Sequence, residues 1–382
     1  MYQERLKKIY HRMREDGIAL LMLSDSESRR DPAIRYLTGQ PSDALLFLNE
    51  NEKSLLIPWD MGLAAQRATA NTVLPYADFK LEPVNALLAA VEHFSLGSGT
   101  SPQSIEIPDT TPHPLYQKYT EKLNTKGTFN LVCRENGIPE FIRNCRAQKD
   151  EAEIALTRKA CAITDTLIAV IETAVLNGTL KTESDAALFI EAECRKRGCE
   201  GTSFATLAAG TGRSFAIHAF PGYTDAPFAG PGLSILDFGV VYEGYASDVT
   251  MTFACGHLSA AQEKQISLVL DAYKLTLDML NERDWSLGAL SARIPALAVD
   301  DFFKSAGYSM PHGLGHGTGL EIHEKPFLRS RESNKDVLLP GMIFTVEPGL
   351  YLPETGGIRY ENDILLTAAG AEPLTHSKIV RM

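Results

Sequence analysis

The sequence predicts an α/β chain of two domains, a smaller one followed by a larger one, and three observations carry that expectation. Its 382 residues are 44% hydrophobic, enough for two buried cores, and its 22% charged residues suit a globular enzyme. Over roughly the first 145 residues, short apolar runs alternate with helical stripes. Beyond Lys149 the pattern changes to long helices, then strands, then helices and strands again. The expected domains are therefore residues 1–148 and 149–382.

In the first domain, Leu6, Ile9, Tyr10 and Met13 share one helical stripe that Asp16-Gly17 ends. Ile18-Ala-Leu-Leu-Met-Leu23 reads as a buried strand, with further strands at residues 44–48 and 54–57 and helices between the later ones. His11, His93 and His113 are scattered, so this domain offers no ligand cluster of its own. In the second, a long helix is expected from Lys149-Asp-Glu to about residue 177, another from Glu183 to Arg197, and two more ending by Ala306.

Between these helix pairs lie two aspartates in β-type context. Leu233-Ser-Ile-Leu-Asp237-Phe-Gly-Val-Val-Tyr242 is an apolar run, Glu243-Gly244 punctuates it, and Tyr245-Ala-Ser-Asp248-Val-Thr-Met-Thr-Phe253 resumes it, which predicts a hairpin. An acidic group in an apolar strand is costly to bury unless it is paired or bound to a cation, and two on adjacent strands repel. A pair of divalent ions removes both penalties. The alternative reading is that one aspartate caps a turn and the other is surface-exposed.

The imidazole segment is Pro311-His312-Gly-Leu-Gly-His316-Gly-Thr-Gly-Leu-Glu-Ile-His323-Glu-Lys-Pro326. Four glycines within residues 313–320 forbid a comfortable helix, so these are not the helical i, i+4 histidines of an H-E-x-x-H zinc site. A loop or irregular strand is expected, and neutral imidazole is a common ligand for divalent transition metals. Two glutamates close the set. Met342-Ile-Phe-Thr-Val-Glu347-Pro-Gly puts one at the end of an apolar strand, and Gly356-Gly-Ile-Arg-Tyr-Glu361-Asn-Asp-Ile-Leu-Leu-Thr367 puts the other within the next. Four carboxylates with an imidazole suit a pair of divalent ions bridged by carboxylate and by water or hydroxide. A structural zinc site would favour thiolates, and calcium would not favour the histidine.

The order Asp, Asp, His, Glu, Glu within LDFGVVYEGYASDVT, HGLGHGTGLEIHE, TVEPGLY and GIRYENDILLT resembles the pita-bread metallopeptidases, a family that includes methionine aminopeptidase, prolidase and Xaa-Pro aminopeptidase. Arg35-Tyr36-Leu37-Thr38-Gly39 is similar to an element of the creatinase/prolidase-type amino-terminal domain, and Arg146-Ala-Gln-Lys149 with Glu153-Ile154 to the start of the catalytic domain. The resemblance spans nearly the whole chain and implies the proline-specific, two-domain branch: a pita-bread catalytic domain behind a smaller α/β domain.

That resemblance implies a role for each matched residue. Asp237 would bind one metal ion and Asp248 would bridge; His316 and Glu347 would bind the other, with Glu361 bridging; Glu347 would also be the general base. His218 and His323 match outer histidines that contact substrate, while His312, Tyr351 and Arg359 match positions around the proline pocket or behind the ligands. Tyr351 and Arg359 read by themselves as ordinary edge-strand residues. The implied cofactors are two divalent ions, manganese first, with cobalt, iron or zinc as alternatives. Substrates would be small peptides with proline at the second position, and the implied assembly is a homodimer. In Thr250-Met251-Thr252, methionine stands where many relatives carry arginine, which touches an ion pair behind the site and no ligand.

Other classes fit less well. No G-x-S-x-G elbow is present, and none of the 6 cysteines has the flanks of a thiol enzyme. A net charge of −11 repels polyanions, so no nucleic-acid partner is expected, and the runs Arg5-Leu-Lys-Lys8 and Arg195-Lys-Arg197 read as solvated helix faces. No membrane span or export signal is seen, and the cysteine pattern fits a reducing compartment, so the cytoplasm is the expectation. Two alternatives stay open: a metal-dependent hydrolase of a non-peptide amide, similar to creatinase or ectoine hydrolase, and a non-catalytic peptide binder of the same fold. Dipeptidase and aminopeptidase are likewise both open.

Overall fold

The computed structural model of the chain describes residues 1–97 and 101–382. Two units emerge, Met1–Arg146 and Ala147–Met382, each with its own apolar core.

The first unit is a six-stranded sheet in which Thr72–Val73, Lys53–Pro58, Ala44–Asn49, Ile18–Asp25, Gln103–Glu106 and Phe129–Val132 lie side by side. Ala44–Asn49 runs antiparallel to both neighbours and the other pairings are parallel. Helices cover such a sheet, which is why Ile18–Asp25 is almost continuously apolar and buried. Leu20, Met22, Phe47 and Ile57 pack there with Leu87 and Val91 of helix Pro83–His93 and with Tyr119 and Leu123 of helix His113–Leu123. One expectation fails here. Arg5 is no solvated helix residue: it is buried, stacks 4.2 Å from the Tyr36 ring centroid and donates to the Tyr36 carbonyl at 2.7 Å. A planar guanidinium satisfied by an aromatic face and a carbonyl can be buried at little cost.

The second unit is built on a nine-stranded sheet. Its main order is Glu324–Leu328, Gly315–Gly317, Ile343–Val346, Glu361–Thr367, Val249–Cys255, Gly232–Phe238 and Leu207–Ala209. Gly370–Pro373 adds to Glu361–Thr367, and Ile379–Arg381 adds to Val249–Cys255. Val249–Cys255 is the organising strand. Val249, Met251 and Phe253 belong to the core formed with Leu167 and Ile171 of helix Glu151–Leu176 and Ile190 of helix Glu183–Lys196. Alternation then turns Thr250 and Thr252 to the opposite face. A second core joins Ile266 and Val269 of helix Ala260–Asn281 and Val299 and Phe303 of helix Arg293–Ser305 to Phe344, Val346 and Ile364. Met251 is therefore fully buried among apolar side chains.

The expected hairpin forms, with two interruptions. Gly232–Phe238 pairs antiparallel with Val249–Cys255, and Val240–Tyr242 pairs with Tyr245–Ala246, so the turn at Glu243-Gly244 is where the sequence placed it. The strands break at Gly239 and again at Ser247-Asp248. A Cβ at Gly239 would collide with the Ser247 carbonyl oxygen, so the close crossing requires glycine there. Asp248 consequently sits in the break between two strands, whereas Asp237 lies within one.

Candidate metal centre

Strand register sets the first row of the site. Thr250 pairs with Asp237 on one side and with Glu361 on the other, so these three residues form one line across the sheet. Side chains opposite one another in neighbouring antiparallel strands share a face a few ångströms apart, which makes the Thr250 hydroxyl a natural tie between the two carboxylates. It donates to Glu361 Oε2 at 2.6 Å and accepts from Arg359 Nε at 2.9 Å.

His316 arrives from the glycine-rich segment on the short strand Gly315–Gly317. A Cβ at Gly315 would meet the Thr345 carbonyl oxygen, and one at Gly317 the Lys325 carbonyl oxygen, so both flanking glycines are needed for the backbone to pass this closely. The His316 amide donates to Thr345 Oγ1 at 3.0 Å, and Thr345 Oγ1 lies 3.3 Å from Glu347 Oε1, just beyond strand Ile343–Val346. One threonine thus connects the histidine segment to the Glu347 segment.

The tautomer of His316 follows from its contacts. Nδ1 lies 3.2 Å from the Gly317 carbonyl oxygen, which only accepts, so Nδ1 carries the proton and Nε2 presents a lone pair. That lone pair stands 3.5 Å from Glu347 Oε1 and 3.6 Å from Asp248 Oδ2. Three groups that only accept, converging on one point, are mutually repulsive unless a cation lies between them. Ligand atoms of Asp248, His316 and Glu361 lie within 4.8 Å of one another, and all three residues are buried. Asp237 Oδ1 and Asp248 Oδ1 are buried and accept no hydrogen bond. The residues present therefore fit divalent metal ions on the chemistry of their donors.

The electrostatics agree. Burial pushes Asp248 and Glu361 well above the usual carboxylate range, and neighbouring carboxylates push the same way. Burial also raises Asp237, with the Arg359 guanidinium pulling it back down, and lifts Glu347 to about 7. Burial lowers His316 to about 3 and His312 to about 4, keeping both imidazoles neutral at physiological pH, the form that ligates metal.

Around these side chains, Arg359 is a hub. It is buried, and it donates to Asp237 Oδ2 at 2.5 Å, to Thr250 Oγ1, and to the Tyr351 hydroxyl at 2.8 Å. The Tyr351 hydroxyl lies 3.0 Å from His312 Nε2, and His312 Nδ1 lies 2.8 Å from the Gly313 carbonyl oxygen. The carbonyl fixes the proton on Nδ1, so Tyr351 accepts from Arg359 and donates to His312. His218 and His323 are exposed residues at the rim of the same cavity, and the His323 ring lies 4.2 Å from that of His316, centroid to centroid. Asp237, Asp248, His316, Glu347, Glu361, His218, His312, His323 and Arg359 all line this cavity of about 530 Å³; Tyr351 reaches it through His312 and Arg359.

A layer behind these side chains was not foreseen from the sequence. Asp363 is buried, accepts from the Asp248 backbone amide at 2.7 Å and from the Thr318 hydroxyl at 3.1 Å, and is pushed up to about 7 by burial while these donors pull it down. Lys149 and Glu324 form a buried ion pair at 2.6 Å. The signal available for Asp363 was the one used for Asp237, a carboxylate inside an apolar strand run.

Residues 155–368 match metallopeptidase family M24, and residues 5–132 match the creatinase/prolidase N-terminal domain. The chain belongs to metallopeptidase family M24. Within this M24 protein, the pita-bread domain carries the site and the creatinase-type domain precedes it. It is 27% identical to an Xaa-Pro dipeptidase of Pyrococcus horikoshii over 98% of this chain and 97% of that one. Among solved structures, an Xaa-Pro dipeptidase from Bacillus anthracis superposes with a TM-score of 0.83 at 25% identity, covering 100% of both chains. An X-Pro aminopeptidase from Thermotoga maritima superposes with a TM-score of 0.81 at 25% identity, covering 99% of each. Metallopeptidase activity and the use of divalent metal follow from membership. No helix among the described residues is long and apolar enough to cross a membrane.

Proposed function

We propose that this M24 protein is a dinuclear metal-dependent peptidase that hydrolyses the bond before proline in dipeptides or at peptide N-termini. The observation that carries the reading is the convergence of Asp237, Asp248, His316, Glu347 and Glu361 on one cavity, with Asp237 Oδ1 and Asp248 Oδ1 buried and unpartnered. The proline preference draws on relatives named for Xaa-Pro substrates.

Asp237 and Asp248 would hold one divalent ion, and His316 and Glu347 the second, with Asp248 and Glu361 shared; manganese leads, and cobalt, iron or zinc suit the same donors. When bound there, such a pair would supply an acidified water and polarisation of the scissile carbonyl. Glu347, with Oε1 3.5 Å from His316 Nε2 and Oε2 3.9 Å from His312 Nδ1, stands between ligand and substrate sides. It takes the attacking water's proton and passes it to the departing amine. His218 and His323 at the rim donate to the carbonyl oxygen as charge develops on it. Tyr351 aims His312 at the proline end, and Arg359 steadies both Tyr351 and the ligand Asp237.

Hydrolysis of Ala-Pro, Ala-Pro-Ala and Ala-Ala by the manganese-loaded protein tests the reading. Cleavage of Ala-Pro alone identifies a dipeptidase, and cleavage of Ala-Pro-Ala an aminopeptidase. Equal attack on Ala-Ala refutes the proline preference.

A further inference from the structure

Asp363 is a fully buried carboxylate that the ligand set does not use. It lies two residues past Glu361 on strand Glu361–Thr367. Its Oδ2 accepts from the Asp248 backbone amide at 2.7 Å and faces the Cys161 thiol at 3.5 Å; its Oδ1 accepts from the Thr318 hydroxyl at 3.1 Å. Each contact leads to a segment that carries a ligand or braces one. Asp248 is itself a ligand, held in the break between two strands, and Thr318 lies two residues beyond His316. Cys161 belongs to helix Glu151–Leu176, which packs behind the sheet.

All three partners arrive as donors, the arrangement an ionised carboxylate accepts at both oxygens. An amide matches it at one oxygen only. Moreover, Asp248 has no ladder partner at the break, so the bond to Asp363 is what satisfies its backbone amide. A single side chain thereby fixes the distance between the Asp248 arm, the His316 arm and the Glu361 strand.

We propose that Asp363 is the positioning residue of the metal centre: by clamping the Asp248 main chain and the end of the His316 strand, it sets the spacing of the ligands and through it the affinity for metal. The inference rests on the metal-centre reading above. Outer groups that orient ligands typically contribute about 10–100-fold in metal affinity, and the same range is expected here.

The test uses full-length protein stripped with a chelator: wild type, Asp363→Asn and Thr318→Val. Each is titrated with manganese chloride by calorimetry and with cobalt chloride by visible absorption. Manganese affinity should fall about 10–100-fold in Asp363→Asn and by a smaller factor in Thr318→Val, with shifted cobalt d–d bands in both. A merely structural role would lower the melting temperature while leaving affinity and bands at wild-type values, and that result overturns the proposal. Should Asp363→Asn fail to fold, Thr318→Val decides, and wild-type affinity and bands in it count against the proposal. A wild type that binds neither ion overturns the metal reading and this inference together, whereas wild-type binding in both variants overturns this inference alone.

Discussion

Glu347 and Tyr351 illustrate how differently two residues four positions apart serve the site. Glu347 is a carboxylate facing the His316 lone pair, so Glu347→Ala removes a proposed ligand and the proposed proton carrier together. Its turnover of Ala-Pro should fall by at least about 10²–10⁴-fold with circular dichroism unchanged. Tyr351 instead joins Arg359 to His312. Tyr351→Phe should cost about 0.5–1.5 kcal/mol in urea unfolding and lower kcat/KM while metal content stays the same. The sequence displayed Asp237, Asp248, His316, Glu347 and Glu361 because each is an acid or imidazole in apolar-strand or glycine-rich context, where burial of charge demands a reason. Thr250, being neutral, gave no such display, and Asp363 gave the same display as Asp237 without revealing what it holds. Their partners lie 111 and 115 residues away, and only strand register brings them together.

At the scale of elements, Val249–Cys255 bears the site on one side and the helix-packed core on the other. Phe253 is fully buried and meets Phe228 edge-on at 5.2 Å between centroids. Phe253→Ala should destabilise the protein by about 3–5 kcal/mol, read as a lower denaturant midpoint with little change in slope. Helix positions were legible: Glu151–Leu176 and Glu183–Lys196 begin at capping boxes built by Asp150 with Glu153 and by Thr182 with Asp185. The hairpin was legible in its turn and not in its breaks. An apolar run reads as one strand, whereas the interruption at Asp248 depends on the crossing at Gly239 and on the pull of Asp363, both tertiary.

At the scale of the whole molecule, two units with separate cores match the two composition patterns in the chain. Buried charge was harder to foresee, as Arg5 shows, because a cation's partners cannot be read from a local run of basic residues. The cysteines offer a global check on packing. Cys133 is exposed, Cys145 half-buried, and Cys161, Cys194, Cys199 and Cys255 buried. Burial raises all of these thiols above their ordinary range, so the reactive thiolate forms only at higher pH. A thiol reagent at pH 8 should modify Cys133 first, faster as pH rises, and reach the four buried residues only in denaturant. Calorimetric titration of chelator-stripped protein with manganese chloride tests the proposed two-ion centre of Asp237, Asp248, His316, Glu347 and Glu361. Two ions per chain are predicted for the wild type, with binding impaired in Asp248→Ala. No stoichiometric binding, or wild-type binding by Asp248→Ala, would mean that these side chains do not build such a centre.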